Sequence, residues 1–151
     1  MPPCARRDDI CPARGELHRY IARPERTTAG GGHLWIEAKG FLHGDGQAAA
    51  YLYREQDKLP GKIPYKKAYG AIKEGWGEMV FENLPFGNYA IIVFHDENGN
   101  GEPDHNLFRI PQEPLGFSNG FRPGLMAGLP SFEKLRITFA PDSTRHKVAV
   151  Q

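Results

Sequence analysis

Cysteine is nearly absent: the 151-residue chain has two, Cys4 and Cys11, both close to its N-terminus. The rest of the chain therefore carries neither a disulfide framework nor a thiolate metal site, and two such cysteines do not define a redox compartment. A charge excess of one sign is missing too. Nineteen lysines and arginines against 18 aspartates and glutamates leave a formal net charge of +1. That balance gives no global field for nucleic acid, and no basic amphipathic segment argues for a membrane surface. No apolar run reaches the length of a transmembrane helix, and residues 1–32 lack the apolar central region of a secretory signal. Lysine does not occur before Lys39, although Arg6, Arg7, Arg14, Arg19, Arg23 and Arg26 precede it, and the segment closes on Ala29-Gly30-Gly31-Gly32, a linker composition. Residues 1–32 are expected to be a disordered tail, or a misplaced start, ahead of one domain over residues 33–151.

What the chain does have is punctuation: 18 glycines and 13 prolines, spread throughout, as in an all-β domain with many turns. Leu34, Ile36 and Ala38 alternate with Trp35, Glu37 and Lys39, the period of a half-buried strand. Gly44-Asp45-Gly46 then reads as a hairpin turn leading into a partner strand from Ala48 to Arg54. Glu78 to Leu84 and Tyr89 to Phe94, joined by Pro85-Phe86-Gly87-Asn88, read as a second hairpin whose later strand is apolar on both faces. Residues 55–75 form a long connection with room for a short strand, and residues 107–131 a long irregular excursion. Leu135, Ile137 and Phe139 alternate as a strand, Pro141-Asp142-Ser143 turns, and Val148 with Val150 closes the chain. The pattern predicts an all-β sandwich of about seven strands with long loops, immunoglobulin-like or transthyretin-like.

The segment after the doubly apolar strand, FHDENGNGEPDHN, is dense in oxygen-bearing side chains. Asp96, Asn98 and Asn100 alternate, Gly101 follows, then Glu102 and Asp104. The spacing is that of the first nine positions of a calcium loop, in which side chains at positions one, three and five converge on the ion. A glycine at six makes the turn, seven offers its carbonyl, and nine binds directly or through water. Oxygen-only ligands select a hard cation such as Ca²⁺. Position twelve is Leu107 where a bidentate glutamate belongs, so remaining ligands must come from elsewhere, with Glu113, Asp45 and Asp57 as candidates. A solvated Asn-Gly turn is the competing account. His95 and His105 flank the loop, and a transition-metal site using them with Asp96 or Asp104 is a weaker reading.

Three motifs resemble catalytic ones in the wrong setting. Gly116-Phe117-Ser118-Asn119-Gly120 matches the nucleophile elbow of hydrolases, but Pro123 and Gly124 stand where its helix should start. Gly44-Asp45-Gly46-Gln47-Ala48-Ala49 matches a dinucleotide fingerprint without the strand–helix alternation that fold needs. Carboxylate pairs drawn from Glu97, Glu102, Asp104 and Glu113 sit in a loop whose asparagines and glycines favour ligation or solvation over glycoside hydrolysis.

Four segments, GDGQAAAYLYRE, VFENLPFGNYAIIVFHDENGNGEPD, FRIPQEPLGFSN and PSFEKLRITF, resemble a family of small, mostly exported bacterial proteins catalogued as domain of unknown function 2141. The resemblance spans roughly residues 33–150 and implies an all-β sandwich and a periplasmic or extracellular location, with no known activity. Arg109 stands where such proteins favour a small residue before Ile-Pro. The expectation is a non-enzymatic cell-envelope module with a Ca²⁺-type loop of Asp96, Asn98, Asn100, Glu102 and Asp104. The alternatives are a carbohydrate- or peptide-binding module using residues 107–125, with Arg109, Ser118 and Asn119, and, third, a small hydrolase. In the first account the excursion from Leu107 to Ser131 packs back over the ion through Phe108, Leu115, Phe117 and Phe121, and Ser118 or Asn119 completes the ion's shell or caps backbone groups there.

Overall fold

Alternating apolar side chains need a second layer to cover them, and the chain supplies it by sending successive strands to opposite sheets. The computed structural model describes residues 30–57, 59, 63–103, 113–123 and 130–151. The strands are β1 (Gly31–Lys39), β2 (Gln47–Tyr53), β3 (Lys66–Gly70), β4 (Ile72–Lys73), β5 (Trp76–Pro85), β6 (Gly87–Asp96), β7 (Leu115–Phe117), β8 (Ile137–Phe139) and β9 (Arg145–Ala149). One sheet runs β4-β5-β1-β9; the other runs β3-β2-β6-β7, with β8 also on β6. The first and last strands of this set, β1 and β9, pair in parallel, Trp35 opposite Arg145 and Lys39 opposite Ala149. The result is the expected β-sandwich, with nine strands among the described residues where about seven were read.

The two expected hairpins are not hairpins. β1 pairs with β5 and β9, while β2 pairs with β3 and β6. Likewise β5 pairs with β1 and β4, and β6 with β2, β7 and β8. Each turn crosses between the sheets, and so does the turn after β8, at Pro141. Turn residues report that the chain reverses; they do not report which edge the next strand joins. The tight two-residue hairpin lies instead between β4 and β5, where Glu74 (φ 53°) and Gly75 (φ 79°) both take the positive φ of a type I′ turn.

The interior between the sheets is built from Leu34, Ile36 and Ala38 of β1, Met79 and Phe81 of β5, Ala48, Ala50 and Leu52 of β2, and Ile91 and Val93 of β6. β2 and β6 are also covered on their other face. Ala49, Tyr51, Tyr53, Ala90 and Phe94 pack there with Phe117, Phe132 and Leu135, and Leu115 and Phe121 lean on the same cluster. This is why β6 is apolar on both faces, as read from the sequence, and it shows what the excursion does: Leu115, Phe117 and Phe121 anchor it on the outer face of β2 and β6, while Phe108 lies outside the described residues. Leu135 is not in a strand. It ends a one-turn helix, α1 (Phe132–Leu135), and only Ile137 and Phe139 of the expected alternation belong to β8.

Candidate functional site

β6 carries two polar side chains into full burial at its end: His95 and Asp96 are both 0% exposed. Asp96 sits opposite Gln47 of β2, whose Nε2 donates to Asp96 Oδ2 at 2.7 Å. The loop that follows folds back onto the same carboxylate. The Asn100 N–H donates to Oδ1 at 3.1 Å and the Gly101 N–H to Oδ2 at 2.9 Å. Asn98 Oδ1 accepts from the same Asn100 N–H at 3.0 Å, and Asn100 Oδ1 accepts from the Glu102 N–H at 2.7 Å. These are successive turns in which a side-chain oxygen replaces a backbone acceptor. Gly101 has φ 75°, a conformation that glycine adopts at little cost.

The surroundings of the loop are acidic. Tyr51 Oη donates to the Gly101 carbonyl, and Tyr69 Oη reaches it at 3.5 Å. Burial pushes the Tyr51 hydroxyl up to about 12, with Tyr69, Glu102, Asp96 and Glu113 adding to the rise. Glu113 Oε1 accepts from the Glu97 N–H at 3.3 Å, so this carboxylate does return to the loop from a distant segment. The other two candidate ligands do not. Asp57 is held by Arg54, Nη2 to Oδ1 at 2.8 Å, and the Asp45 side chain is 94% exposed. Asp104, His105 and Arg109 lie outside the described residues.

Ser118 and Asn119 are placed elsewhere. The Ile91 N–H donates to Ser118 Oγ at 2.9 Å, and Ser118 Oγ donates to the Leu135 carbonyl at 2.5 Å. Asn119 (φ 58°) donates through Nδ2 to the Lys134 carbonyl at 3.1 Å. β6 pairs with β8 over Gly87–Tyr89 and with β7 over Ile92–Phe94, and Ser118 serves the backbone between those two short pairings. Ile91 precedes Asp96 by five strand positions, roughly 16 Å at about 3.3 Å per residue. The pair caps backbone groups far from Asp96, so the expectation that Ser118 or Asn119 would serve the ion loop is overturned.

A second group gathers beside the loop. The β1–β2 crossover brings His43 and Asp45 against the end of β6. His43 Nε2 lies 3.2 Å from Glu97 Oε1, and His95 Nε2 lies 2.6 Å from the Asp45 carbonyl. His43, His95 and Glu97 offer ligand atoms that all lie within 4.8 Å of one another.

Residues 36–147 match the family described as an uncharacterised protein conserved in bacteria, domain of unknown function 2141. The chain belongs to this family. No curated protein and no solved structure matches it. The stretch matched to domain of unknown function 2141 contains the acidic loop, Ser118 and the histidine group. Among the described residues no helix is long and apolar enough to cross a membrane. Reading the sequence of this family member missed His43. Its partners His95 and Glu97 lie about fifty positions along the chain, and no local pattern joins them.

Proposed function

We propose that this chain is a non-enzymatic binding or structural module of the bacterial cell envelope whose β6 loop holds a hard cation, Ca²⁺ in the first place. The ligands are the side chains of Asp96, Asn98 and Asn100, the carbonyl of Glu102, and Asp104. The observation that carries this reading is the environment of Asp96. Its carboxylate is fully buried and bonded to neutral N–H groups, and among the described residues no lysine, arginine or histidine pairs with it. Buried charges are ordinarily paired or bound to a metal. Glu102 and Glu113 act with Asp96 on the same Tyr51 hydroxyl, and Glu113 reaches the backbone of the next residue, Glu97, so the region adds acids and, among the described residues, no base paired with Asp96.

Oxygen donors alone favour a hard ion, and a larger, more flexible shell favours Ca²⁺ over Mg²⁺. With Asp96 and Asp104 as the two side-chain carboxylates, the affinity belongs to the roughly 10⁻⁴ to 10⁻³ M class of extracellular modules. Such an ion stiffens a loop; it does not sense cytosolic calcium. A non-catalytic role is supported by Ser118, whose hydroxyl is occupied by two backbone groups and is 1% exposed. Export rests on the family resemblance.

Calorimetric titration of the full chain with Ca²⁺ tests the reading. The expected result is one site per chain, weaker for Mg²⁺, with affinity lowered on the order of tenfold in Asn98→Ala, since Asn98 is an exposed ligand. No binding of Ca²⁺ up to about 10 mM, well above that affinity class, would contradict it.

A further inference from the structure

The ring of His95 is fully buried, and only one of its nitrogens is accounted for. Nε2 faces the Asp45 carbonyl at 2.6 Å. A carbonyl oxygen only accepts, so Nε2 carries the proton. In that tautomer Nδ1 presents a lone pair, and Nδ1 is buried with no hydrogen-bond partner among the described residues. Glu97 Oε1 lies 3.9 Å away, beyond hydrogen-bond distance.

What surrounds this lone pair is a set of ligand atoms. Glu97 Oε1 stands between the two histidines, 3.2 Å from His43 Nε2, and the two imidazole rings are 4.7 Å apart. His95 is oriented by Phe41, edge-on at 5.4 Å, and by its bond to Asp45. The side chain of Asp45 also approaches the free side of the His43 ring, Oδ2 to Nδ1 at 3.8 Å.

We propose that His43, His95 and Glu97 form a binding site for a borderline divalent cation of the Zn²⁺ class. Two imidazoles and one carboxylate are a donor set suited to Zn²⁺, Cu²⁺ or Ni²⁺. Three protein ligands leave a coordination position for water or a further group. His95 has the arrangement that metal-bound histidines show, one nitrogen for the ion and the other N–H fixed by a backbone carbonyl. Ligands at about 2.0–2.2 Å from Zn²⁺ sit closer together than the 4.8 Å within which these atoms lie. Closing that gap falls to the two partly exposed partners: the His43 and Glu97 side chains are 43% and 49% exposed, with room to rotate onto the buried His95. The same exposure gives the ion its entry path. The site shares no ligand with the Asp96 loop and goes beyond the function proposed for it.

The test uses the full chain, with Zn²⁺ as the probe in calorimetry and Co²⁺ as the probe in visible absorption. Wild type is compared with His43→Ala, Glu97→Gln and Asn98→Ala, each checked for folding by circular dichroism. The expected result is one Zn²⁺ per chain, affinity lowered at least tenfold in His43→Ala and in Glu97→Gln, and little change in Asn98→Ala. The Co²⁺ ligand-field band should weaken in the same two variants. No Zn²⁺ binding by the wild type would overturn the proposal. So would binding of equal strength in His43→Ala and Glu97→Gln, which would place the ion elsewhere, at Cys4 and Cys11 for example. Loss of the Ca²⁺ response with Zn²⁺ binding intact would remove the hard-cation loop alone, and the converse would remove the histidine site alone.

Discussion

Asp45 and His95 lie 50 residues apart in the chain, and the backbone carbonyl of the first accepts a hydrogen bond from the ring of the second at 2.6 Å. The bond joins a crossover loop to the end of a central strand. It places His43 beside Glu97 while the other end of the same loop enters β2 against Asp96. Both candidate metal sites therefore depend on how the β1–β2 crossover passes over β6.

Gly46 controls that passage. It has φ 74°, and a Cβ there would lie 2.2 Å from the Asp96 carbonyl oxygen. Gly46→Ala is expected to cost on the order of 1–3 kcal/mol in backbone strain alone, with the clash in addition, and to lower the thermal midpoint by several degrees. Differential scanning calorimetry checks this; an unchanged midpoint would show that the crossover is not held at this point.

Ser118 is the second structural test. Its hydroxyl serves the Ile91 N–H and the Leu135 carbonyl, and both lose their partner in Ser118→Ala. At about 1–3 kcal/mol for each unsatisfied buried group, a loss of roughly 2–6 kcal/mol is expected in urea unfolding. A loss below about 1 kcal/mol, the size of an ordinary surface substitution effect or little more, would show that water or a shifted backbone takes over both bonds.

Acid stability should depend on Asp57. Its bonds to the Arg54 side chain, with a backbone bond from Arg54 in support, hold its carboxyl below the usual value of 3.8. The unfolded chain therefore takes up this proton first as pH falls. The contribution is complete above about pH 4 and is lost as pH drops through the folded-state value. Asp57→Asn should flatten the acid limb of a stability–pH curve below pH 4 relative to wild type. Parallel curves over that range would contradict the pairing.

At the alkaline end the sign reverses in origin but not in effect. Burial pushes Tyr51 and Tyr53 from 10.0 up to about 12. Their contribution is complete below pH 10 and falls away as pH rises toward 12, because the unfolded chain releases these protons first. Ultraviolet titration of the folded chain should show tyrosines that ionise late, and Tyr53→Phe should remove one of them. Titration of all six tyrosines near pH 10 would contradict this environment.

Periodicity alone located β1, β5 and the doubly covered β6, because alternation and its absence follow directly from which faces are buried. Leu34, Ile36 and Ala38 point inward as their spacing required. Pairing was less legible. The Gly44-Asp45-Gly46 and Pro85-Phe86-Gly87 turns have the residues of hairpins, yet each sends the chain to the other sheet, a choice made by long-range packing. β7 was hidden for a similar reason: Leu115-Gly116-Phe117 is too short to show a period, and it forms because β6 leaves an edge to be paired.

The candidate sites divide along the same line. Asp96, Asn98, Asn100 and Gly101 form a local motif, and local spacing found them. His43 and His95 meet only after both sheets are assembled, and the sequence offered His105 as a nearer but less informative partner.

Thermal unfolding of the full chain in chelator, in millimolar Ca²⁺ and in millimolar Mg²⁺ tests the hard-cation loop most directly. At about 10 mM, roughly 10 to 100 times a dissociation constant of the extracellular-module class, Ca²⁺ adds roughly 1.4–2.7 kcal/mol to stability. The account predicts a midpoint several degrees higher in Ca²⁺, a smaller rise in Mg²⁺, and a reduced Ca²⁺ response in Asn98→Ala. Equal midpoints in chelator and in Ca²⁺ would contradict it and leave Asp96 as the anchor of a hydrogen-bonded turn.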